Sequence, residues 1–434
     1  MSKNRTFFSC VIPSVLAFAL SGVYAIVDGF FIGNSIGDIG LSTINVAYPV
    51  VALMQAIGTG IGMGGAVVYS IAGASGDQKK ADLYAGGTGT FLLIASIVIT
   101  ALSYIFLDTV LALLGGEGDI FILGKKYLHI IIFGTVFQIF STGVVPLIRN
   151  CNGSAFAMIS MVSGFLTNIL LDYLFVWVFQ WGVTGAAAAT VIGEGVTMVM
   201  GTVYLCMRKI PLFRFHIPGA SSLFSRIVKI GLAPFGLTMT PNIALVLMNR
   251  RLILYGGEQA VACYACIAYA LTIVYMFLQG VGDGSQPLMS KYYGAGEVKE
   301  FYGVRRMAYG LAEVLAIFSI CVLFMGRFQI GLLFGASKAV LIETGNVIPM
   351  FLVGVVFLAF TRITTSGFYA SENNLFSYIL VYAEPVLLFV FLLVLPPIFG
   401  LQGVWWSTGL SQVVCGGIAM VFGFLESRKR IPGM

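Results

Sequence analysis

The sequence predicts an all-α membrane protein of twelve transmembrane helices in two six-helix bundles, related as parallel repeats by a pseudo-two-fold axis. Only 10% of the 434 residues are charged and 59% are hydrophobic, whereas about 25% of the residues of an ordinary soluble domain are charged. The chain contains twelve apolar stretches that are each long enough to cross a bilayer. Its two halves also resemble one another when the sequence is shifted by about 220 residues.

The composition argues against a soluble enzyme, a secreted disulfide scaffold and a disordered chain. The one CxxC motif, Cys263 to Cys266, lies in an apolar stretch and is interpreted as buried apolar side chains, not as a metal or redox site. The sequence has two histidines and contains no HExxH, GxSxG or Walker motif. We therefore expect no enzymatic activity and no cofactor. The net charge of +6 is assigned to loops, not to nucleic-acid binding.

Each span requires about 20 apolar residues. The first apolar run is too long for the hydrophobic region of a signal peptide, and no small-residue cleavage site follows it, so it counts as a span. The second and eighth runs are the longest, and they are expected to bend at their glycines. The predicted spans are 11–33, 43–73, 85–108, 120–146, 155–178, 183–207, 226–254, 261–293, 303–325, 340–368, 375–398 and 402–425.

Lysine and arginine indicate the orientation, because loops rich in these residues stay in the cytoplasm. Most of the 24 Lys and Arg residues fall in loops on the side of the N-terminus, while the opposite loops hold Lys125, Lys126, Arg327 and Lys338. Both termini are therefore predicted to be cytoplasmic. The four tryptophans agree, since each lies near the outer end of a predicted span, where aromatic residues favour the interface.

The internal repeat defines the domain organisation. A shift of 220 residues matches glycines of the first half to glycines of the second, and a shift of 218 extends the match to later spans. The pairs are Gly60, Gly62, Gly64 and Gly76 with Gly280, Gly282, Gly284 and Gly296, and Gly182 and Gly185 with Gly400 and Gly403. We predict an N-lobe over residues 1–207, a cytoplasmic linker over 208–225 and a C-lobe over 226–434. Two parallel six-span repeats favour a transporter.

Carboxylates inside a membrane span are costly to insert, so each is a candidate functional residue. At a rise of 1.5 Å per residue, four polar residues of the first half lie roughly 8–10 Å below the outer surface, and Asn168 shares a helix face with one of them. The set is Asp28, Tyr127, Asn168, Asp172 and Thr190. Its groups predict an ion-coupling site for H⁺ or Na⁺, with Asp28, Asn168, Asp172 and Thr190 as possible Na⁺ ligands.

The second half lacks this set, since the equivalent positions of Asp28, Asn168 and Asp172 hold other residues. The two lobes are therefore predicted to be functionally unequal. Charged residues elsewhere in the spans are possible secondary sites: Glu194, Asp283, Glu313, Arg362 and Glu384.

Some of these charges have two interpretations. Glu194 is either a partner of the ion site or a packed polar group, and Asp283 and Arg362 are expected to form a structural ion pair. Arg250 and Arg251 either extend to the outer interface or meet an anionic group of a substrate.

Four stretches are similar to one known family: Val23 to Gly33, Asn168 to Tyr173, Gly182 to Thr190 and Gln279 to Pro287. With them, the chain resembles the multidrug and toxic-compound extrusion (MATE) family over nearly its whole length, in the prokaryotic branch of MepA-like and DinF-like exporters. The resemblance implies export of amphipathic, often cationic drugs in exchange for H⁺ or Na⁺. It also implies an ion site at the five residues of the N-lobe set. Some branches carry an acidic residue in span 7, where this chain has Arg250 and Arg251 instead.

We therefore expect a secondary antiporter that exports amphipathic organic cations by alternating access across the plasma membrane of a prokaryote. Its expected partners are small-molecule drugs or toxins and the lipid bilayer, without nucleic acid, and the monomer is the expected functional unit. The alternative is a flippase for lipid-linked precursors of the same superfamily, because Arg250, Arg251 and Arg362 could line its cavity. A membrane-embedded enzyme would need a nucleophile–base pair or a metal cluster at one depth, which the sequence does not offer.

Overall fold

The computed structural model describes residues 3–214, 216–334 and 336–430, and it is almost entirely helical there. A π-helical segment occupies Tyr173–Val178, and a 3₁₀ helix occupies Ile330–Phe334. The α-helices of these ranges are α1 Lys3–Ile36, α2 Asp38–Ala74, α3 Gln78–Leu113, α4 Gly118–Phe133, α5 Thr135–Asn150, α6 Ser154–Asp172, α7 Val183–Met207, α8 Ala220–Gly294, α9 Val298–Met325, α10 Lys338–Ala370, α11 Asn374–Val394, α12 Pro396–Phe399 and α13 Leu401–Arg430.

The described helices account for twelve spans. Ten helices are long and apolar enough to cross a membrane, and α4 with α5 forms one more span that is bent by 55°. The 75 residues of α8 would extend about 110 Å as one helix, and the non-helical Gly257 (φ 66°) divides α8 into two spans. The predicted twelve-helix fold is thus confirmed. The span predicted over 120–146 is present but bent, because Gly134, with a ψ of 5°, interrupts its helix.

The chain divides into two compact units, Met1–Thr238 and Met239–Met434. The first unit contains α1 to α7 and the beginning of α8, and the second contains the remaining helices. Because α8 begins at Ala220, the last residues of the predicted linker over 208–225 are helical. The boundary between the units therefore lies within a helix.

The internal repeat is visible in the backbone of the two units. Gly182, which directly precedes α7, has a φ of 61°, and its repeat partner Gly400, which precedes α13, has a φ of 60°. Gly76 and Gly296 form a second pair, with φ of 88° and 74°. Glycine adopts positive φ without steric cost. The matched glycines therefore mark equivalent turns of the two repeats.

Glycines in α2 allow its backbone to approach neighbouring helices. A Cβ atom on Gly62 would overlap the backbone of Gly143 in α5, and one on Gly64 would overlap the carbonyl of Ile227 in α8. In the second unit, Gly282 lies against the side chain of Ser366 in α10. The glycine run of α2 thus supports close helix packing. The helix continues as one element over Asp38–Ala74.

We expect Gly62→Ala to lower the free energy of unfolding by about 1–3 kcal/mol, since the added methyl group meets backbone atoms that cannot rotate away. Gly310→Ala in α9 is the matched control, because no atom lies within 4 Å of its Cβ position. That substitution is expected to be neutral or to stabilise by up to about 1 kcal/mol, through the higher helix propensity of alanine. Thermal unfolding of both purified variants in detergent measures the difference, and equal effects would contradict the close packing of α2.

Candidate functional site

Helices α1 and α6 carry the acidic pair of the first unit. Asp28 lies in the last third of α1, and Asp172 is the last residue of α6 before the π-helical segment. The wider π-helical turn redirects the side chains that follow Asp172, and such segments are frequent at functional sites. The hydroxyl of Ser35 donates to the carbonyl oxygen of Val176 at 2.9 Å. The end of α1 is therefore attached to the π-helical segment beside the acidic pair.

The carboxyl groups of Asp28 and Asp172 lie close enough to interact directly. Ionised carboxylates only accept hydrogen bonds, so this contact becomes a hydrogen bond only when one group carries a proton. One oxygen of Asp28 and both oxygens of Asp172 are buried and receive no hydrogen bond from the described residues. Buried acceptors without donors are unfavourable. A shared proton or a bound cation would satisfy them, so the pair is chemically suited to H⁺ or Na⁺.

The other three residues of the predicted N-lobe set lie in the same part of the first unit. Nδ2 of Asn168 donates to Oγ1 of Thr190 at 3.4 Å, while Oδ1 of Asn168 is buried without a donor among the described residues. Tyr127 is 5% exposed, and its hydroxyl is within electrostatic range of both aspartates. The structure therefore brings the five residues together. Their role in ion coupling stays a prediction.

A narrow cleft between α1, α6 and α7 adjoins the acidic pair. Its wall includes Tyr24, Phe165, Asn168, Thr190, Glu194 and Thr197. The rings of Tyr24 and Phe165 stack with their centroids 5.2 Å apart, and the Tyr24 hydroxyl is within electrostatic range of the aspartates and of Glu194. Tyr24 thus connects the acidic pair to the cleft. Sequence reasoning did not select it as a site residue, although it lies one helical turn before Asp28.

Glu194 joins two helices of the first unit, and its role at the ion site stays a prediction. Its carboxylate accepts hydrogen bonds from the hydroxyl of Ser141 and from Nε2 of Gln138, which lies at 3.2 Å. Both donors belong to α5, so this carboxylate joins α5 to α7. It also lines the cleft. With a volume of about 10 Å³, the cleft is closed to an organic molecule in this conformation.

The second unit contains a different polar cluster. Nε2 of Gln412 donates to the hydroxyl of Tyr275 at 3.0 Å and to a carboxylate oxygen of Glu384 at 3.3 Å. Arg362 and Glu384 both lie within electrostatic range of Tyr275 and Cys415. Gln412 is the repeat counterpart of Glu194 at the shift of 218. The internal repeat thus indicated Gln412 as the counterpart of Glu194, whereas no feature of the sequence indicated that Tyr275 belongs to this cluster.

The predicted ion pair between Asp283 and Arg362 stays a prediction. Oδ1 of Asp283 accepts hydrogen bonds from Nε2 of Gln279 at 2.8 Å and from the hydroxyl of Tyr369 at 3.4 Å. Tyr369 lies seven residues after Arg362 on α10, so the two positions share a face but are separated by roughly 10 Å along the helix. Asp283 therefore lies beside Tyr369 of α10.

The remaining predicted residues lie apart from these clusters. Oε2 of Glu313 in α9 is buried and receives no hydrogen bond from the part of the chain that the structure describes. In α8, Arg250 is exposed and Arg251 is half-buried. Within the described ranges, neither arginine forms an ion pair with the acidic pair or with Glu384. Their predicted roles stay open.

Two repeats of apolar helices, with a buried acidic pair in the first, define a multi-pass membrane transporter. The model of the MatE family matches residues 13–174 and 236–394, and the chain therefore belongs to this family. Curated relatives include two proteins named "Multidrug export protein MepA". The one from Staphylococcus haemolyticus is 23% identical over 94% of this chain and 90% of its own length, and the one from Staphylococcus saprophyticus is 22% identical over 98% and 93%.

Solved structures share the fold at low sequence identity. A multidrug resistance MATE family transporter of the MOP superfamily in an outward-facing conformation has a TM-score of 0.91 at 20% identity, covering 99% of this chain and 97% of its own. A MOP superfamily transporter from Pyrococcus furiosus has a TM-score of 0.92 with the same identity and coverage. The architecture of the two repeats is therefore that of MATE transporters.

Proposed function

We propose that this chain is a secondary multidrug exporter that exchanges amphipathic organic cations for H⁺ or Na⁺ by alternating access. The observation that carries the proposal is the facing pair of Asp28 and Asp172, whose buried oxygens lack donors among the described residues. The name that the staphylococcal relatives bear, multidrug export protein, supports the substrate class. The buried carboxylate of Glu194 near the pair is compatible with a cationic substrate.

Ion binding at the pair changes the charge that α1 and α6 bury. A proton or Na⁺ at Asp28 and Asp172 neutralises their repulsion and lets α1 repack, by bending near Pro13 or Gly22. Tyr24 moves with α1, so the repacking alters the cleft that it lines. The ion drives transport only if it binds the two conformations with unequal affinity. Substrate in the cleft and ion at the pair then exclude one another, which gives exchange.

The proposal includes the membrane setting. The protein lies in the plasma membrane of a prokaryote with both termini in the cytoplasm, as the distribution of Lys and Arg indicates. One chain provides both repeats, so the monomer is proposed as the functional unit. Drugs or toxins and the lipid bilayer are its partners.

Dye efflux from proteoliposomes tests this function. Vesicles that contain the purified protein are loaded with the cationic dye rhodamine 123, and an outside-acid pH jump without Na⁺ is compared with an inward Na⁺ gradient at fixed pH. We expect one gradient to accelerate efflux over that of protein-free vesicles, which names the coupling ion. Indifference of the dye to both gradients would contradict the exporter. Scrambling of a fluorescent lipid in the same vesicles would then favour the flippase.

A further inference from the structure

The cleft between α1, α6 and α7 has the size of one water molecule. Its volume is about 10 Å³, and about 10–15 Å³ is the least that holds one water, which also needs two to four polar partners. Tyr24, Thr190 and Glu194 line the cleft and bring a phenol, a hydroxyl and a carboxylate. The cleft therefore suits one water molecule with three polar partners, and it is too small for a drug.

The hydroxyl of Tyr24 is the group of the cleft that most needs a water. It makes no hydrogen bond with any of the described residues, and its side chain is half-buried with the ring stacked on Phe165. A phenol donates one hydrogen and also accepts, and a buried polar group without a partner is unfavourable. A water molecule in the adjoining cleft satisfies this hydroxyl.

Tyr24 also lies between Glu194 and the acidic pair. Its hydroxyl is within electrostatic range of Asp28, Asp172 and Glu194. The carboxyl group of Glu194 responds to burial and to its hydrogen bonds from α5, and to neither aspartate. Tyr24 precedes Asp28 by one helical turn, so the two side chains share a face of α1. The phenol is therefore the group that connects Glu194 with the acidic pair.

We propose that one water molecule binds in this cleft, and that Glu194, this water and Tyr24 form a relay that carries the coupling proton to Asp28. The water takes a proton from the carboxyl group of Glu194 and gives one to the phenol oxygen of Tyr24, whose own proton moves to Asp28. Glu194 thus loses one proton, Asp28 gains one, and the water and the phenol are unchanged. The inference rests on the proposed export function and names its ion as H⁺, because a phenol relays a proton but not Na⁺.

The relay gives a physical reason for exchange. In this conformation the cleft has room for a water molecule but for no organic compound. Repacking of α1 moves Tyr24 and widens the cleft, and a compound that enters then displaces the water between Tyr24 and Glu194. Proton transfer to Asp28 is therefore interrupted while a substrate is bound.

Tyr24→Phe tests the relay, because it removes only the hydroxyl and keeps the ring that stacks on Phe165. Efflux of rhodamine 123 from proteoliposomes after an outside-acid pH jump gives the maximal rate and the half-saturating dye concentration, while trapped pyranine records proton movement. We expect the maximal rate to fall about 10- to 100-fold, as for loss of a positioned proton-transfer group, with the half-saturating concentration within about twofold. Tyr104→Phe is the matched control, since this exposed phenol donates to the carbonyl oxygen of His129. It should leave both values unchanged.

Two variants of Glu194 separate a relay from a packing role. Glu194→Gln still accepts hydrogen bonds from Ser141 and Gln138 but carries no proton, so it should slow proton movement as Tyr24→Phe does. Glu194→Asp keeps a carboxyl group and should restore much of the rate. Fluorescence polarisation of rhodamine 123 with each purified variant checks that the variant is folded and binds the dye.

Three results would overturn the relay. They are equal slowing by Glu194→Gln and Glu194→Asp, wild-type rates in both Tyr24→Phe and Glu194→Gln, and wild-type efflux that responds to a Na⁺ gradient but not to the pH jump. Each of these leaves the exporter intact. Wild-type efflux that ignores both gradients would contradict the exporter itself, so the two failures are distinguishable.

Discussion

Replacement of Asp28 or Asp172 by asparagine is expected to reduce gradient-driven efflux of rhodamine 123 to the rate of protein-free vesicles. Each substitution leaves a neutral amide opposite one carboxyl group, so the pair can no longer share a proton or supply two negative charges to Na⁺. Asparagine has nearly the shape of aspartate, and the packing between α1 and α6 is preserved. The substitutions should therefore abolish the effect of the ion gradient on efflux without unfolding the protein. Efflux under the driving gradient and dye binding in detergent measure the two effects separately.

The double variant and a control sharpen this test. Residues that act as one unit give non-additive effects, so Asp28→Asn with Asp172→Asn should be no worse than either single change. Asp108→Asn is the matched control, since this aspartate is 59% exposed and pairs with Lys125 at 2.7 Å. It should leave efflux unchanged. Intact gradient-driven efflux in both single variants would move the coupling site to Asp283, Glu313 or Glu384.

Depth along the helices was the part of the site that the sequence could predict. Counting residues from the ends of apolar stretches placed Asp28, Tyr127 and Asp172 at one level, and the structure brings them together. Counting residues does not show which neighbouring helix a side chain faces, and it does not give small differences in depth within the membrane. For example, the contact between the carboxylate of Asp283 and the hydroxyl of Tyr369 did not follow from counting residues along the spans.

Local breaks in helices were also beyond the sequence pattern. The apolar stretch over 120–146 is continuous in composition, yet Gly134 bends it because α7 packs against this position, where a Cβ would overlap Val191. A glycine inside an apolar run is compatible with close packing or with a break, and only the neighbouring helix decides. The hydrogen bonds from Ser141 and Gln138 to Glu194 follow from the same tertiary arrangement. No sequence motif indicated that Ser141 or Gln138 would contact Glu194.

The equivalent positions Glu194 and Gln412 have opposite hydrogen-bonding roles in the two repeats. In the first unit Glu194 is the acceptor and Gln138 the amide donor, whereas in the second unit Gln412 replaces the acid and donates to Glu384. The first unit therefore presents a carboxylate to its cleft, with no cation bonded to it among the described residues. In the second unit the amide of Gln412 donates a hydrogen bond to the carboxylate of Glu384. Arg362 forms no ion pair within the described part of the chain. This difference provides a physical basis for unequal charge selectivity in two similar repeats.

A buried ion pair joins three helices at one end of the second unit. Nη1 of Arg305 in α9 lies 2.5 Å from a carboxylate oxygen of Glu426 in α13, and the two side chains are 3% and 2% exposed. Nε of Arg305 donates to the hydroxyl of Tyr309 at 3.0 Å, and the guanidinium lies 5.1 Å from the ring centre of Phe368 in α10. The two buried charges thus compensate one another.

Breaking this pair should destabilise the protein more than the close-packing substitution Gly62→Ala. Glu426→Gln and Arg305→Met each remove one member of this buried pair, and we expect each to lower the free energy of unfolding by about 3–5 kcal/mol. The double variant removes both charges and should recover most of that loss, since an apolar replacement of a buried pair is often neutral. Asp108→Asn, at the exposed pair with Lys125, should cost less than about 1 kcal/mol. Thermal unfolding in detergent distinguishes these cases: a double variant as unstable as the sum of the two single variants would show that Arg305 and Glu426 contribute through packing and not through mutual charge compensation.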